Sequence, residues 1–304
     1  MKNVRFSLAI VVISFLFSNI LIGQTDALAT QNIKNNGSYF SADINYISDA
    51  VFMGRKDSIT APYLYPSMTY HHKSGFYGTG SLSYLTKSDQ SRIDLFLISA
   101  GFDFMSKKLS GDISVTKYFF NEDSYNVISE VEADISAYLT YDLDFMNISV
   151  AASTYFNKNS SSDLFLSSEL SHDFITNDQK FQISPTVGIH LGSQNFYEEY
   201  YINNRIGSDR GSGNGNGAGS GGGGSTTETV TTITIQESEK FNVMAAEISL
   251  PMWYTSKSLT FSFLPAFVLP QNKATILVDE VLVEEDLKET FYWMVGLSYK
   301  FGQK

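Results

Sequence analysis

Residues 130–141 read EVEADISAYLTY. Val131, Ala133, Ile135, Ala137 and Leu139 fall on one side of a two-residue repeat, and Glu130, Glu132, Asp134 and Ser136 on the other. Successive side chains of a strand point to opposite faces, so this period specifies a strand. One face is wholly apolar and the other acidic, as in a wall that separates hydrocarbon from water. The last segment, TFYWMVGLSYKF (290–301), follows the same rule. Phe291, Trp293, Val295, Leu297, Tyr299 and Phe301 face one way, and Tyr292, Gly296, Ser298 and Lys300 the other.

Working outward, twelve segments obey this grammar: 38–53, 63–71, 75–86, 92–105, 109–120, 127–141, 145–156, 163–175, 180–192, 241–254, 259–268 and 290–301. Their connectors alternate. Short turns follow the even segments, at His72–Ser74, Ser106–Lys108, Asp142–Asp144, Thr176–Gln179 and Thr255–Ser258. Polar and mostly longer loops follow the odd ones, at 54–62, 87–91, 121–126, 157–162, 193–240 and 269–289. Short inner turns and long outer loops are the signature of a bacterial outer-membrane barrel. The expectation is an all-β fold: a single antiparallel up-and-down transmembrane β-barrel of about twelve strands, with ten or fourteen the alternatives. Closure follows because lipid cannot satisfy an open strand edge.

Aromatic residues gather at the strand ends next to the short turns: Phe40, Tyr70, Phe76, Phe104, Tyr141, Phe174, Phe181, Tyr254 and Phe301, with Phe145 and Phe261 beside them. They read as a girdle at the headgroup level. Pro66, Pro185, Pro251 and Pro265 fall inside the segments. Proline cannot donate to a ladder, so bulges are expected there.

The first 29 residues read as a signal peptide. Lys2 and Arg5 precede an apolar run over 6–22, and Ala27-Leu28-Ala29 is a small-x-small cleavage site; a cut before Gln24 is the alternative. The run is short for a spanning helix. Residues 30–304 then form the barrel. Losing two positive charges and one negative charge with the leader takes the net charge from −11 to −12. So acidic a chain has no means of displacing counterions from nucleic acid. The absence of cysteine excludes disulfides, thiolate metal sites and cysteine nucleophiles. An aromatic content of 14% is too high for a disordered chain. No cofactor motif and no calcium-loop or zinc spacing is present, so neither metal nor cofactor is expected.

The loop at 193–240 carries a Gly-rich tract, GSGNGNGAGSGGGGS, at 211–225. Its flanks 195–206 and 226–236 read as extended, so the loop is expected to project as a hairpin, and 276–285 (ILVDEVLVEE) as a second ribbon. The tract makes a rigid plug improbable, and no plug domain is expected.

The strand phase puts Asp43, Asp103, Asp112, Glu130, Glu132, Asp134, Glu169, Asp173 and Glu247 on the lumen face, against Lys300 and His190. Carboxylates without partners do not sit in a dry interior. These acids therefore point to a pore lined with water that favours cations. Catalysis would need a nucleophile against a base. Ser168 and His172 share a face but lie roughly 13 Å apart along a strand. His71-His72 beside a turn reads as an interface pair.

Residues 47–85 contain Ser48-Asp49-x-Val51-Phe52-x-Gly54 and, after a polar loop and a proline, Tyr70-x-His72-x-Ser74-Gly75-Phe76-Tyr77. These pieces resemble the opening hairpins of TorF-type putative porins. In that family the first element closes strand one and the second turns into strand three. Ala50 stands where an aromatic is expected and Met53 where an arginine is expected, and the Gly-rich loop is an addition. The resemblance implies a porin-like outer-membrane barrel and carries over no substrate. The sequence thus points to a passive channel for small hydrophilic solutes with cation preference. The alternative is a structural or surface-interaction barrel with an occluded lumen, working through its outer loops. The expected partners are outer-membrane lipid, the barrel-insertion machinery that reads an amphipathic last strand, and the solutes. No enzyme activity and no nucleic acid are expected.

Overall fold

The computed structural model describes residues 37–57, 60–88, 90–204, 233–278, 281–285 and 287–301. The expected leader and the Gly-rich tract lie outside the described residues. The first strands are β1 (Tyr39–Ile47), β2 (Tyr63–His71), β3 (Phe76–Leu85), β4 (Arg92–Ser106), β5 (Leu109–Phe120) and β6 (Val131–Asp142). They are followed by β7 (Asn147–Asn157), β8 (Asp163–Ser171), β9 (Phe174–Ile175), β10 (Phe181–Ile183) and β11 (Thr186–Gly192). Helix α1 (Asn195–Asn204) and β12 (Ile233–Gln236) come next. The chain continues with β13 (Asn242–Ser249), β14 (Met252–Ser256), β15 (Leu259–Pro270), β16 (Thr275–Val278), β17 (Val281–Glu284) and β18 (Thr290–Phe301).

Neighbours in sequence pair antiparallel from β1 to β8, β8 pairs with β11, and β11 with β13. The circle closes through β13–β15, β15–β18 and β18–β1, where Ile44 lies opposite Leu297. β8/β9, β10/β11 and β13/β14 are each one strand broken in two, so the fifteen segments of the sheet form a closed barrel of twelve strands. Closure removes every edge that lipid would leave unsatisfied.

The wall is inside-out relative to a water-soluble protein. Its outer face is apolar and exposed; Met68 and Phe76 are each 62% exposed. Its inner face carries Ser, Thr, Tyr and carboxylates, and Asp134 and Glu169 are at most 1% exposed. Cross-strand hydroxyl pairs such as Thr69–Thr79 at 2.8 Å and Thr140–Ser149 at 2.9 Å knit that polar lining. Only a hydrocarbon surround makes such an arrangement stable. No helix among the described residues is long and apolar enough to cross a membrane, so strands do the crossing.

The short turns all lie at one end, and four of them hold a residue in the left-handed region: Lys107, Asp144, Gln179 and Lys257. The aromatics of the sequence girdle are at this end and on the outside. Phe40 packs on Tyr70 at 4.8 Å between ring centroids, and Phe76 on Phe102 at 4.9 Å. Tyr141, Phe174, Tyr254 and Phe301 are exposed, and Phe104 and Phe181 are half-buried. A second outer belt, not foreseen from sequence, is formed by Tyr84, Phe96, Phe119, Phe156, Phe267 and Phe291. From Phe291 to Phe301 on β18, strand rise and inclination give a height of roughly 25 Å, the thickness of an outer-membrane apolar band.

The four prolines stand where the ladder is interrupted. Pro185 and Pro251 sit at the β10/β11 and β13/β14 breaks. Pro66 pairs with Ile44 of β1 while the β2–β3 register skips it, and Pro265 faces the β13/β14 break. Outside the barrel β12, β16 and β17 form a separate three-stranded sheet, so the 276–285 ribbon is present as the β16–β17 hairpin.

Candidate functional site: a polar lumen and an inward-folded plug

β1 ends at Ile47, and the chain beyond it does not continue as strand to residue 53. It turns into the outer mouth. Phe52 and Arg55 exchange both backbone hydrogen bonds, at 2.7 and 2.8 Å, around Met53 and Gly54. Both central residues have positive φ, 47° and 81°. Two such residues in succession make a type I′ turn, which glycine tolerates best. The tip is therefore a tight hairpin closed by the cross-strand pair Phe52 and Arg55.

The Phe52 ring meets Phe165 edge-on at 5.3 Å, Phe196 at 5.1 Å, and Tyr155 at 5.7 Å. Phe165 and Tyr155 are inward residues of the wall, and Phe196 belongs to α1. Arg55 is 0% exposed. Its guanidinium donates to the carbonyls of Met244 at 2.7 Å, Gln271 at 3.0 Å and Asn272 at 2.7 Å, and lies 3.8 Å from the Glu285 carboxylate. Arginine is always charged and presents five donors in a fixed fork, so only a rich acceptor set permits such burial. Asp49 closes the loop base by accepting from the Ala61 amide at 2.9 Å and from Lys56.

Asn195–Asn204 is helical, not extended as its Tyr- and Phe-rich sequence suggested. Asp163, at the outer end of β8, accepts from the amides of Asn195 at 2.9 Å and Phe196 at 2.7 Å. Capping of the first orphan amides starts the helix. Its aromatic face then buries Phe196, Tyr197 and Tyr200 against the hairpin, and the Tyr200 hydroxyl donates to Asp57. Tertiary capping and packing override the local preference. With Tyr125, Val127 and Ile128 from the third outer loop, these residues form one buried apolar cluster with the wall. The outer mouth is thus closed by an internal plug, contrary to the expectation that none would be found.

Gly54 touches this arrangement at its tightest point. A Cβ there would lie 2.8 Å from Pro270 Cβ and 3.2 Å from Ala245 Cβ. Gly54→Val is expected to unseat the hairpin while the barrel still folds. Limited trypsin digestion checks this: the bond after Arg55 is sealed in the parent and becomes cleavable in the variant. Equal resistance of both proteins would mean the hairpin is not held by its tip.

The inner face of the wall is polar below and around the plug. Asp43, Asp134, Glu169 and Glu247 project inward from four strands. Glu169 and Glu247 both lie opposite Gly188, on either side of it, and Tyr292 donates to Glu247 at 3.1 Å. Asp103 and Asp112 are cross-strand partners, and His71 lies 3.0 Å from Asp103 and stacks on Tyr39 at 4.9 Å. Lys300 stands 5.1 Å from the Tyr39 ring. Asp173 sits at the β8/β9 break, bonded by Asn147 and Ser184.

Two residues of the sequence assignment stand elsewhere. Glu130 precedes β6 in an outer loop and pairs with Lys158 at 3.3 Å. Glu132 is on the outside, with 52% of its side chain exposed, and pairs with Lys117 at 3.3 Å. The cause is a bulge: the β6–β7 register jumps between Val131 and Ala133, so Glu132 is the extra residue and the phase slips by one. Among inward atoms without a protein partner are Asp43 Oδ1, Ser99 Oγ, Ser110 Oγ, Ser249 Oγ and Glu247 Oε1. Buried polar atoms are nearly always satisfied, so this lining calls for water or solute within the barrel.

His190 and Ser167 form the cross-strand contact that the pair Ser168 and His172 could not, at 2.9 Å. Both are 4% exposed. A nucleophile also needs an oriented base and room for substrate; what the structure shows here is a buried cross-strand hydrogen bond.

A model of bacterial proteins of unknown function (Gcw_chp) matches residues 32–244. The chain belongs to the Gcw_chp family. The match spans the plug hairpin, Asp163 and α1, and ends at Met244, whose carbonyl holds Arg55. A comparison with curated proteins finds no match. Solved structures similar to this Gcw_chp chain include the KdgM porin, at 9% identity and a TM-score of 0.45, over 86% of this chain and 99% of that one. The NanC porin has 8% identity and a TM-score of 0.44, over 86% and 98%. LpxR from Salmonella typhimurium has 8% identity and a TM-score of 0.43, over 85% and 99%. Likenesses this distant carry no argument about what a Gcw_chp barrel conducts or binds.

Proposed function

We propose that this Gcw_chp protein is a porin-like, cation-preferring channel for small hydrophilic solutes in the bacterial outer membrane, with its outer mouth held shut by its own first loop. The observation that carries this reading is the inward face: Asp43, Asp134, Glu169 and Glu247 stand among hydroxyls inside an apolar shell. Acids in a low-dielectric tube attract cations. The resemblance of residues 47–85 to TorF-type putative porins supports the same reading. No chemistry is performed and flux is diffusive. The chain reaches the membrane through a cleaved leader and is inserted by the machinery that reads its last strand.

The test is single-channel conductance of the refolded protein, residues 30–304, in a planar bilayer under a salt gradient. Rare discrete steps with a cation-selective reversal potential support the reading, and anion selectivity overturns the role of the acids. Glu169→Gln together with Glu247→Gln is expected to lower the cation-to-anion permeability ratio several-fold with little change in the number of folded channels. An unchanged reversal potential would remove these two acids from the conduction path.

The plug favours a second reading, an occluded barrel that acts through its outer loops. The β12–β16–β17 sheet would then be its working surface. A folded barrel that stays silent even after the plug is unlatched selects this reading.

A further inference from the structure

Pro185, Pro251 and Pro265 mark one continuous defect in the wall. His172 N–H donates to Pro185 O at 3.2 Å, Ser184 N–H to Pro251 O at 2.9 Å, and Leu250 N–H to Pro265 O at 3.0 Å. The breaks in β8/β9, β10/β11 and β13/β14 therefore lie side by side, with Pro265 of β15 next in line. Each proline lacks a donor and bends its strand locally. On the outer face the bends open a groove of about 620 Å³.

The groove follows one cross-strand row. Leu170, Val187, Ile248, Phe267 and Phe291 are successive register partners on β8, β11, β13, β15 and β18. All five are exposed and apolar. Four strand spacings of about 4.8 Å make the row roughly 19 Å long, somewhat more than the depth of one leaflet's hydrocarbon. The strands of a barrel are inclined, so a row across them climbs the wall. It runs from Met146 and His172, beside the inner girdle, to Phe291 in the outer belt. The whole groove therefore lies within the hydrocarbon band, continuous with the lipid-facing wall.

We infer that this crease seats one acyl chain of an inner-leaflet phospholipid, with the headgroup at the level of the exposed His172. The lining gives the chain a concave apolar bed, and concavity is what separates a binding site from a solvated surface. The inference rests on placement of the barrel in a membrane and not on the state of its mouth, so a failed conductance experiment leaves it standing.

The chain supplies its own sensor. Trp293 lies opposite Pro265 on the outer face, and the other tryptophan, Trp253, is buried inside. The protein with Trp253→Phe is refolded in lipid-free detergent micelles. It is then titrated with phosphatidylethanolamine brominated on its acyl chains, which quenches nearby indoles. A seated chain gives saturable quenching of Trp293 with a stoichiometry of one lipid per barrel. Val187→Phe with Ile248→Phe fills the crease and leaves only the weak linear quenching of lipid dispersed in micelles. The heat-dependent gel shift of a folded barrel verifies both proteins. Linear quenching in the unfilled protein, or a saturable curve unchanged by filling, overturns the inference. Quenching that disappears as the protein dimerises overturns it in favour of a second copy in the crease.

Discussion

Arg55→Ala is expected to convert a barrel that opens rarely into one that conducts most of the time. The guanidinium is fully buried, and three of its carbonyl acceptors come from β13 and the loop after β15. Removing it takes one donor from each of those carbonyls and leaves the buried Glu285 carboxylate with no cation, only the Ala274 amide at 2.9 Å. Truncating one partner of a buried ion pair costs about 3–5 kcal/mol. That loss falls on the docking of the hairpin, because the barrel wall keeps its own ladder. At about 1.4 kcal/mol per tenfold, the closed-to-open ratio falls by roughly two to three and a half orders of magnitude. Arg55→Lys retains the charge but not the fork, and is expected to lie between the two. Bilayer recordings at matched protein content measure the open probability directly. A folded Arg55→Ala barrel as silent as its parent would mean that the plug does not gate conduction.

The barrel was legible in the sequence because its determinants are local. Alternation over ten residues needs only the strand geometry, and the short turns mark their own positions. All twelve segments found their place to within a few residues, apart from the end of the first. That end shows why the plug was not legible. Val51, Phe52 and Met53 continue the apolar character of β1, so pattern alone carries the strand past the rim. The contacts that turn the chain inward lie far away, as from Arg55 to Met244 and Asn272. The same holds for α1, whose start is decided by Asp163 on another strand. Of the acids assigned to the lumen, Asp43, Asp134, Glu169 and Glu247 point inward where the alternation is unbroken. Glu132 points outward because one extra residue reverses the phase beyond it. The outer aromatic belt was readable in principle, since Phe96, Phe119 and Phe156 occupy the apolar phase near the outer strand ends. The loops there obscured the boundary.

The bulge in β6 supplies the second large effect, because it makes neighbouring positions respond in opposite ways. Ile135 is exposed on the outer face, between Val115 of β5 and Thr154 of β7. It lies well inside the apolar band, with Tyr141 marking the inner girdle on the same strand. Ile135→Lys is expected to destabilise the barrel by about 2–4 kcal/mol, the cost of a lysine facing lipid near the midplane. Glu132→Ala removes an exposed pair with Lys117 near the outer rim and is expected to cost less than about 1 kcal/mol. Asp134 differs again. Its carboxylate accepts from Tyr118 at 2.8 Å and from Ser136, so Asp134→Leu takes this acceptor from the buried Tyr118 hydroxyl, while Ser136 keeps Ser153 at 2.9 Å. A loss of about 1–3 kcal/mol for that one buried hydroxyl overlaps the range for Ile135→Lys, by an opposite mechanism. Urea unfolding of the three variants in the same vesicles separates the cases by their midpoints. If Glu132→Ala proved as costly as Asp134→Leu, Glu132 would face inward beside it, the alternation of β6 would be unbroken and the bulge would be wrong. The faces of this strand decide which charges meet the lumen, so the same three midpoints also test the acid lining on which the proposed cation preference depends.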